Sequence, residues 1–162
     1  MRQLVVLGSV VLALVLAADP PLRGERDAQG FVRITPEDVV WKDVPNGLGA
    51  QMAIIEGDPS RPGVYVIRMR FPPGVMSRNH FHPEDRHATV LKGTWYTGTG
   101  DVFDPEKTVP LKAGSYMKHP AGGHHFDGAK DEEVIVQIVG VGPTGMTVLK
   151  PEEGPFGSSR RP

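Results

Sequence analysis

His80-Phe81-His82 and the later stretch Pro120-Ala121-Gly122-Gly123-His124-His125 decide the reading of this chain. Residues i and i+2 of a β-strand point to the same face, so His80 and His82 present two imidazoles side by side. The bend at 120–122 can turn the chain so that a third ring, His125, faces them from a neighbouring strand. Neutral imidazole suits zinc, copper, iron and nickel, and three such rings make a site for one divalent metal ion.

Outward from these histidines the chain consists of short apolar runs separated by turn residues. The clearest alternation is at 64–71, where Tyr65, Ile67, Met69 and Phe71 form one apolar face and Arg68 and Arg70 point the other way. Pro72-Pro73-Gly74 then makes a turn, Pro fixing φ and Gly allowing a positive one. Further strands are predicted at 51–56, 78–82, 86–92, 94–97, 115–119, 134–141 and 146–149. With 20 Gly and 16 Pro among 162 residues, no long helix fits, and the spacing argues for an all-β sandwich or barrel of one domain.

The flanks read differently. Met1-Arg2, an apolar run from Leu4 to Leu16 and the small residues Ala17-Ala18 match a secretory signal peptide, residues 1–17, cut near Ala17. The run is short for a bilayer, which needs about twenty residues, so a periplasmic or secreted protein free of the membrane after cleavage is expected. Residues 18–44 read as an arm carrying one short helix, with Thr35 as N-cap, Pro36 in the first position and Asp38 in the third. The barrel is placed at 45–150 and a flexible, frayed tail at 151–162.

Composition excludes several chemistries. There is no cysteine, which removes disulfides, thiolate catalysis and cysteine-held zinc or iron–sulfur clusters. The net charge is −1 and no basic block exceeds Arg160-Arg161, so nucleic-acid binding has no electrostatic footprint.

The histidine motifs resemble those of the cupins. Gly74, His80-x-His82 and Gly93 look like the first cupin motif, and Gly114 with Pro120-x-Gly122-x-x-His125 looks like the second. More narrowly, His82-Pro83-Glu84-Asp85-Arg86 and Thr89-Val90-Leu91-Lys92-Gly93-Thr94-Trp95-Tyr96 resemble a group of exported bacterial cupins of unassigned activity. The resemblance implies a double-stranded β-helix, the jelly-roll barrel of RmlC-like proteins, with one divalent ion (Fe, Zn, Mn or Ni) held inside by His80, His82 and His125.

The fourth ligand departs from that pattern. The usual first motif carries Glu three or four residues beyond the second histidine, and here register puts Arg86 in its place. His87 fits the longer spacing, but if Val90 faces the core, Ala88 and Arg86 share its face and His87 faces out. Glu84, Asp85 or water are the other candidates. Arg86 then either pairs with a carboxylate or binds an anionic substrate, or else forms a structural ion pair with Asp85 at the rim. His124 and His119 are expected in solvent or behind the ligands rather than on the metal.

Two functions fit. One is a small-molecule enzyme of oxygenase, isomerase or lyase type, its metal keeping open positions, with Tyr116 or His119 as a proton carrier if inward-facing. The other is a non-catalytic module that binds or senses a metal or small ligand, since one fold hosts both. They differ in whether the interior near His125 is a polar pocket or is sealed by Trp95, Phe103 and Phe126. A homodimer is expected through a strand edge such as 51–56.

Overall fold

Gly63–Phe71 pairs along its whole length with Val134–Gly142, antiparallel, from Gly63 opposite Gly142 to Phe71 opposite Val134. The alternation seen in the sequence is the cause: Tyr65, Ile67 and Phe71 are buried, as are Ile138 and Val134 opposite Ile67 and Phe71, and Val136 opposite Met69. The structure, a computed structural model, describes residues 25–160. The signal-peptide segment 1–17 lies outside the described residues.

Two antiparallel sheets form the barrel. One runs in the order Tyr116–His119, Arg86–Lys92, Val134–Gly142, Gly63–Phe71, Gln51–Glu56, Lys42–Asp43. The other runs Val109–Lys112, Thr94–Thr99, His125–Gly128, Val75–Ser77, Phe156–Ser158, with His80–Phe81 and Thr147–Val148 branching from it. The apolar core between them includes Tyr65, Val90, Trp95 and Val136. This is the all-β, cupin-type jelly roll that the motifs imply.

Glycine makes two close approaches possible. A Cβ on Gly98 would stand 2.1 Å from the ring of its cross-strand partner Phe126, and one on Gly140 would stand 2.4 Å from the Tyr65 hydroxyl. Gly140 thereby lets the Tyr65 phenol lie across the neighbouring strand and reach Glu84.

Four expectations need correction. The short N-terminal helix is only a three-residue 3-10 turn, Pro36–Asp38, with Val39 already extended. Asp38 closes that turn by accepting from the backbone N–H and hydroxyl of Thr35, and the β-branched pair Val39-Val40 does not continue it. The strand expected at 78–82 is only His80–Phe81, and a separate strand, Val75–Ser77, precedes it. The arm joins the barrel earlier than expected, because Lys42–Asp43 pairs with Gln51 and Met52. Finally, the tail as far as residue 160 is ordered rather than frayed: Phe156–Ser158 pairs with Val75–Ser77 and buries Phe156 against the core. A tail rich in glycine and arginine reads as solvent-loving, but one aromatic anchor and a free strand edge suffice to order it.

Candidate functional site

His80 and His125 are direct cross-strand partners, so their rings meet at a centroid distance of 4.2 Å. His82 follows the end of the same short strand. Its carbonyl accepts from Gly122 N–H at 2.8 Å, which ties the proline–glycine bend to the first motif, and Gly122 adopts φ 70° there. The three rings lie within 5.4 Å of one another, centroid to centroid, and their donor nitrogens within 4.8 Å. All three histidines are at least 95% buried.

Their hydrogen bonds set the tautomers. Nδ1 of His80 donates to the Arg78 carbonyl at 2.7 Å, that of His82 to Gly145 at 2.6 Å and that of His125 to Gly123 at 2.9 Å. A neutral imidazole that donates from Nδ1 keeps its lone pair on Nε2, and anchoring the far nitrogen is how proteins orient metal-binding rings. Burial holds all three histidines below their ordinary pKa, His82 at about 3, so they stay neutral at physiological pH. Nε2 of His125 is buried with no hydrogen-bond partner. Neutral, anchored nitrogens with an orphaned lone pair among them are a donor set that fits a divalent cation, so the three could hold a metal ion.

Arg86 enters the same space. The strand Arg86–Lys92 buries Arg86, Ala88 and Val90 and exposes His87, as alternation requires. The guanidinium Nη1 stands 2.5 Å from His82 Nε2, and Nε is buried without a partner. Because His82 Nδ1 already donates to Gly145, Nε2 is the nitrogen that faces the arginine as acceptor.

None of the other candidate ligands reaches the triad. Glu84 accepts from the Tyr65 hydroxyl at 2.6 Å and from Thr144 Oγ1. Asp85 pairs with Lys118 at 2.7 Å and caps the Ala121 N–H at 2.8 Å, so the ion pair considered between Asp85 and Arg86 is not formed. His87 hydrogen-bonds the Tyr116 hydroxyl on the outer face, and His124 binds Asp101 there. Tyr116 is 58% exposed and faces away from the cavity.

The sequence reading missed one inward group and undervalued another. Asp127 lies two residues beyond His125 on the same strand face, a place alternation could have revealed. Its Oδ1 accepts from Trp95 Nε1 at 3.2 Å, its Oδ2 lies 3.8 Å from His125 Nε2, and burial raises its pKa. His119 is the cross-strand neighbour of Arg86 and stacks on His125 at 3.8 Å. Both its nitrogens are buried without partners, and burial drops its pKa to about 2. His119, His125 and Asp127 form a second group with metal-binding spacing that shares His125 with the first.

These groups line one end of a cavity of about 300 Å³. Met52, Ile67, Met69, Val136 and Ile138 form much of its apolar wall. Trp95 contributes to the wall, while Phe103 and Phe126 pack on each other and do not line it, so the aromatic seal considered from the sequence does not close it.

The fold has many solved counterparts. The polyketide cyclase RemF from Streptomyces resistomycificus superposes with a TM-score of 0.61 at 16% identity, over 72% of this chain and 84% of that one. The DMSP lyase DddQ from Ruegeria pomeroyi DSS-3 gives 0.58 at 16% identity, over 70% and 62%. An RmlC-like cupin from Shewanella frigidimarina NCIMB 400 gives 0.54 at 15% identity, over 67% and 87%. At such identities the likeness is one of fold. No curated protein matches the chain. Residues 29–145, well over half the sequence, match the family described as the ChrR cupin-like domain. With both histidine motifs on paired strands of a jelly roll, the chain belongs to the ChrR cupin-like family, a branch of the cupins.

Proposed function

We propose that this protein is a metal-dependent cupin enzyme acting on a small molecule, with His80, His82 and His125 as the ligands of one divalent ion. The observation that carries the reading is the meeting of three neutral, anchored imidazoles with a cavity of about 300 Å³ in the barrel interior. That volume is at the lower end of the range for small-molecule pockets, roughly 300–1,000 Å³. Among known proteins, a cyclase and a lyase share this fold, which is compatible with catalysis without naming a reaction.

The ion, when bound, supplies a Lewis acid that polarises an oxygen of the bound molecule. The chain's own residues do the rest. Backbone carbonyls of Arg78, Gly123 and Gly145 hold the three rings in place. The apolar wall excludes water and strengthens electrostatic interactions at the histidine end. His119 stays neutral and keeps its nitrogens free to hydrogen-bond a bound molecule beside His125. A second reading, a non-catalytic binder, draws on Arg86 standing where the usual motif has a carboxylate.

Metal analysis of untagged protein tests the ligand set. The wild type and His87→Ala are expected to hold about one ion per chain. His80→Ala, His82→Ala and His125→Ala should each lose most of it, because two imidazoles make a far weaker site. If His87→Ala emptied the site as completely as His80→Ala, the assignment would fall. Turnover of small oxygenated substrates by the metal-loaded protein, with none after chelation, separates enzyme from binder.

A further inference from the structure

Among the described residues, Arg86 is a buried cation without an ion-pair partner. It is 7% exposed, and among the described residues no carboxylate lies within ion-pair distance of its guanidinium. Of the two nearby acids, Glu84 accepts from Tyr65 and Thr144 through one oxygen, its other oxygen being buried without a partner, and Asp127 accepts from Trp95 and lies 3.8 Å from His125 Nε2. The arginine's Nη1 meets the His82 imidazole, and its Nε is buried without a hydrogen-bond partner. Desolvating a guanidinium is costly unless something anionic offsets it. Arg86 also lines the cavity, whose remaining wall is mostly apolar.

We propose that the cavity binds a small organic anion, a carboxylate on a short apolar body, with the carboxylate held by the Arg86 guanidinium. The apolar body lies against Met52, Ile67 and Ile138. This rests on the reading of the cavity as a small-molecule site and adds the substrate class. The guanidinium presents a planar fork that matches a carboxylate bidentately, which a lysine at this position could not do. Three neutral histidines bring no charge of their own to a divalent ion, so a carboxylate beside Arg86 would help to offset two cations at once. Ligation of an ion by His82 also requires Arg86 to release Nε2, which turns its full set of donors to the cavity. Metal and carboxylate therefore bind with positive coupling.

Calorimetric titration of hexanoate, hexanol and inorganic phosphate into full-length protein tests this, both after chelation and after zinc loading, with zinc content measured on each sample. Hexanoate is expected to bind at least ~10-fold more tightly than hexanol, the scale of a charge-assisted hydrogen bond. Its affinity should rise on zinc loading and fall at least ~10-fold in Arg86→Gln, with a smaller loss in Arg86→Lys. The wild-type comparison of hexanoate with hexanol stands even if a variant does not fold. Equal binding of hexanoate and hexanol, or tighter binding of phosphate, overturns the carboxylate assignment while leaving the cavity as a small-molecule site. Full zinc loading with no binding of any of the three overturns the assignment too, and leaves the metal ligands intact.

Discussion

Arg86 Nη1 lies 2.5 Å from Nε2 of His82, so one cation already faces the nitrogen that a second cation would need. The arginine and a metal ion compete for the same lone pair, and they repel each other in a low-dielectric cavity. The position is the one at which the usual cupin motif carries glutamate.

Replacing that arginine should therefore strengthen metal binding. Arg86→Glu removes the competing cation and offers a carboxylate oxygen to the same space. Zinc affinity, measured by competition with a chromophoric chelator, is expected to rise by at least ~10-fold, about 1.4 kcal/mol. Arg86→Gln should show a smaller gain, from loss of the repulsion alone. Unchanged or weaker affinity in Arg86→Glu would mean that the guanidinium does not oppose the ion.

Acid should destabilise the metal-free protein well above the range in which carboxylates titrate. Burial depresses the pKa of His80, His82, His119 and His125 in the folded state. The unfolded chain, with histidines near 6.5, then takes up protons first as the pH falls. The stability these groups contribute is present in full above about 6.5 and is lost as the pH drops toward about 3 for His82 and about 2 for His119. Asp127 acts in the opposite sense, since its raised pKa favours the folded state at lower pH, but it is one group against four. Thermal melts of chelated protein should show Tm falling steadily from pH 7.5 to pH 5. A flat Tm over that interval would count against neutral, buried histidines.

The C-terminal strand should be indispensable. Phe156 is 7% exposed, lies 6.3 Å from the Phe71 ring, and lines the cavity. Phe156→Ala is expected to cost about 3–5 kcal/mol through lost burial and the void left behind. Truncation after Gly154 should cost at least as much, because it also uncovers the edge of Val75–Ser77. An unchanged denaturation midpoint in either variant would show that the segment is dispensable after all.

The local pattern was enough to read the strand faces. Period-two alternation placed Tyr65, Ile67 and Phe71 inside, put Arg86 inward and His87 outward, and paired His80 with His82, because side-chain direction in a strand depends only on the pleat. The motif spacing likewise announced the fold, since glycines and prolines mark where such strands must turn. What the sequence could not supply was proximity between residues far apart in the chain. His119 lies beside Arg86, and Phe156 covers Ser77, only because particular strands pair in a particular register. Sheet pairing is a non-local choice, made by the burial of whole faces rather than by any one segment. The same holds for Glu84 and Asp85: both were plausible ligands in the loop after His82, and the tertiary structure gave one to Tyr65 and the other to Lys118. Arg86 was thereby left facing the cavity with no carboxylate at ion-pair distance among the described residues.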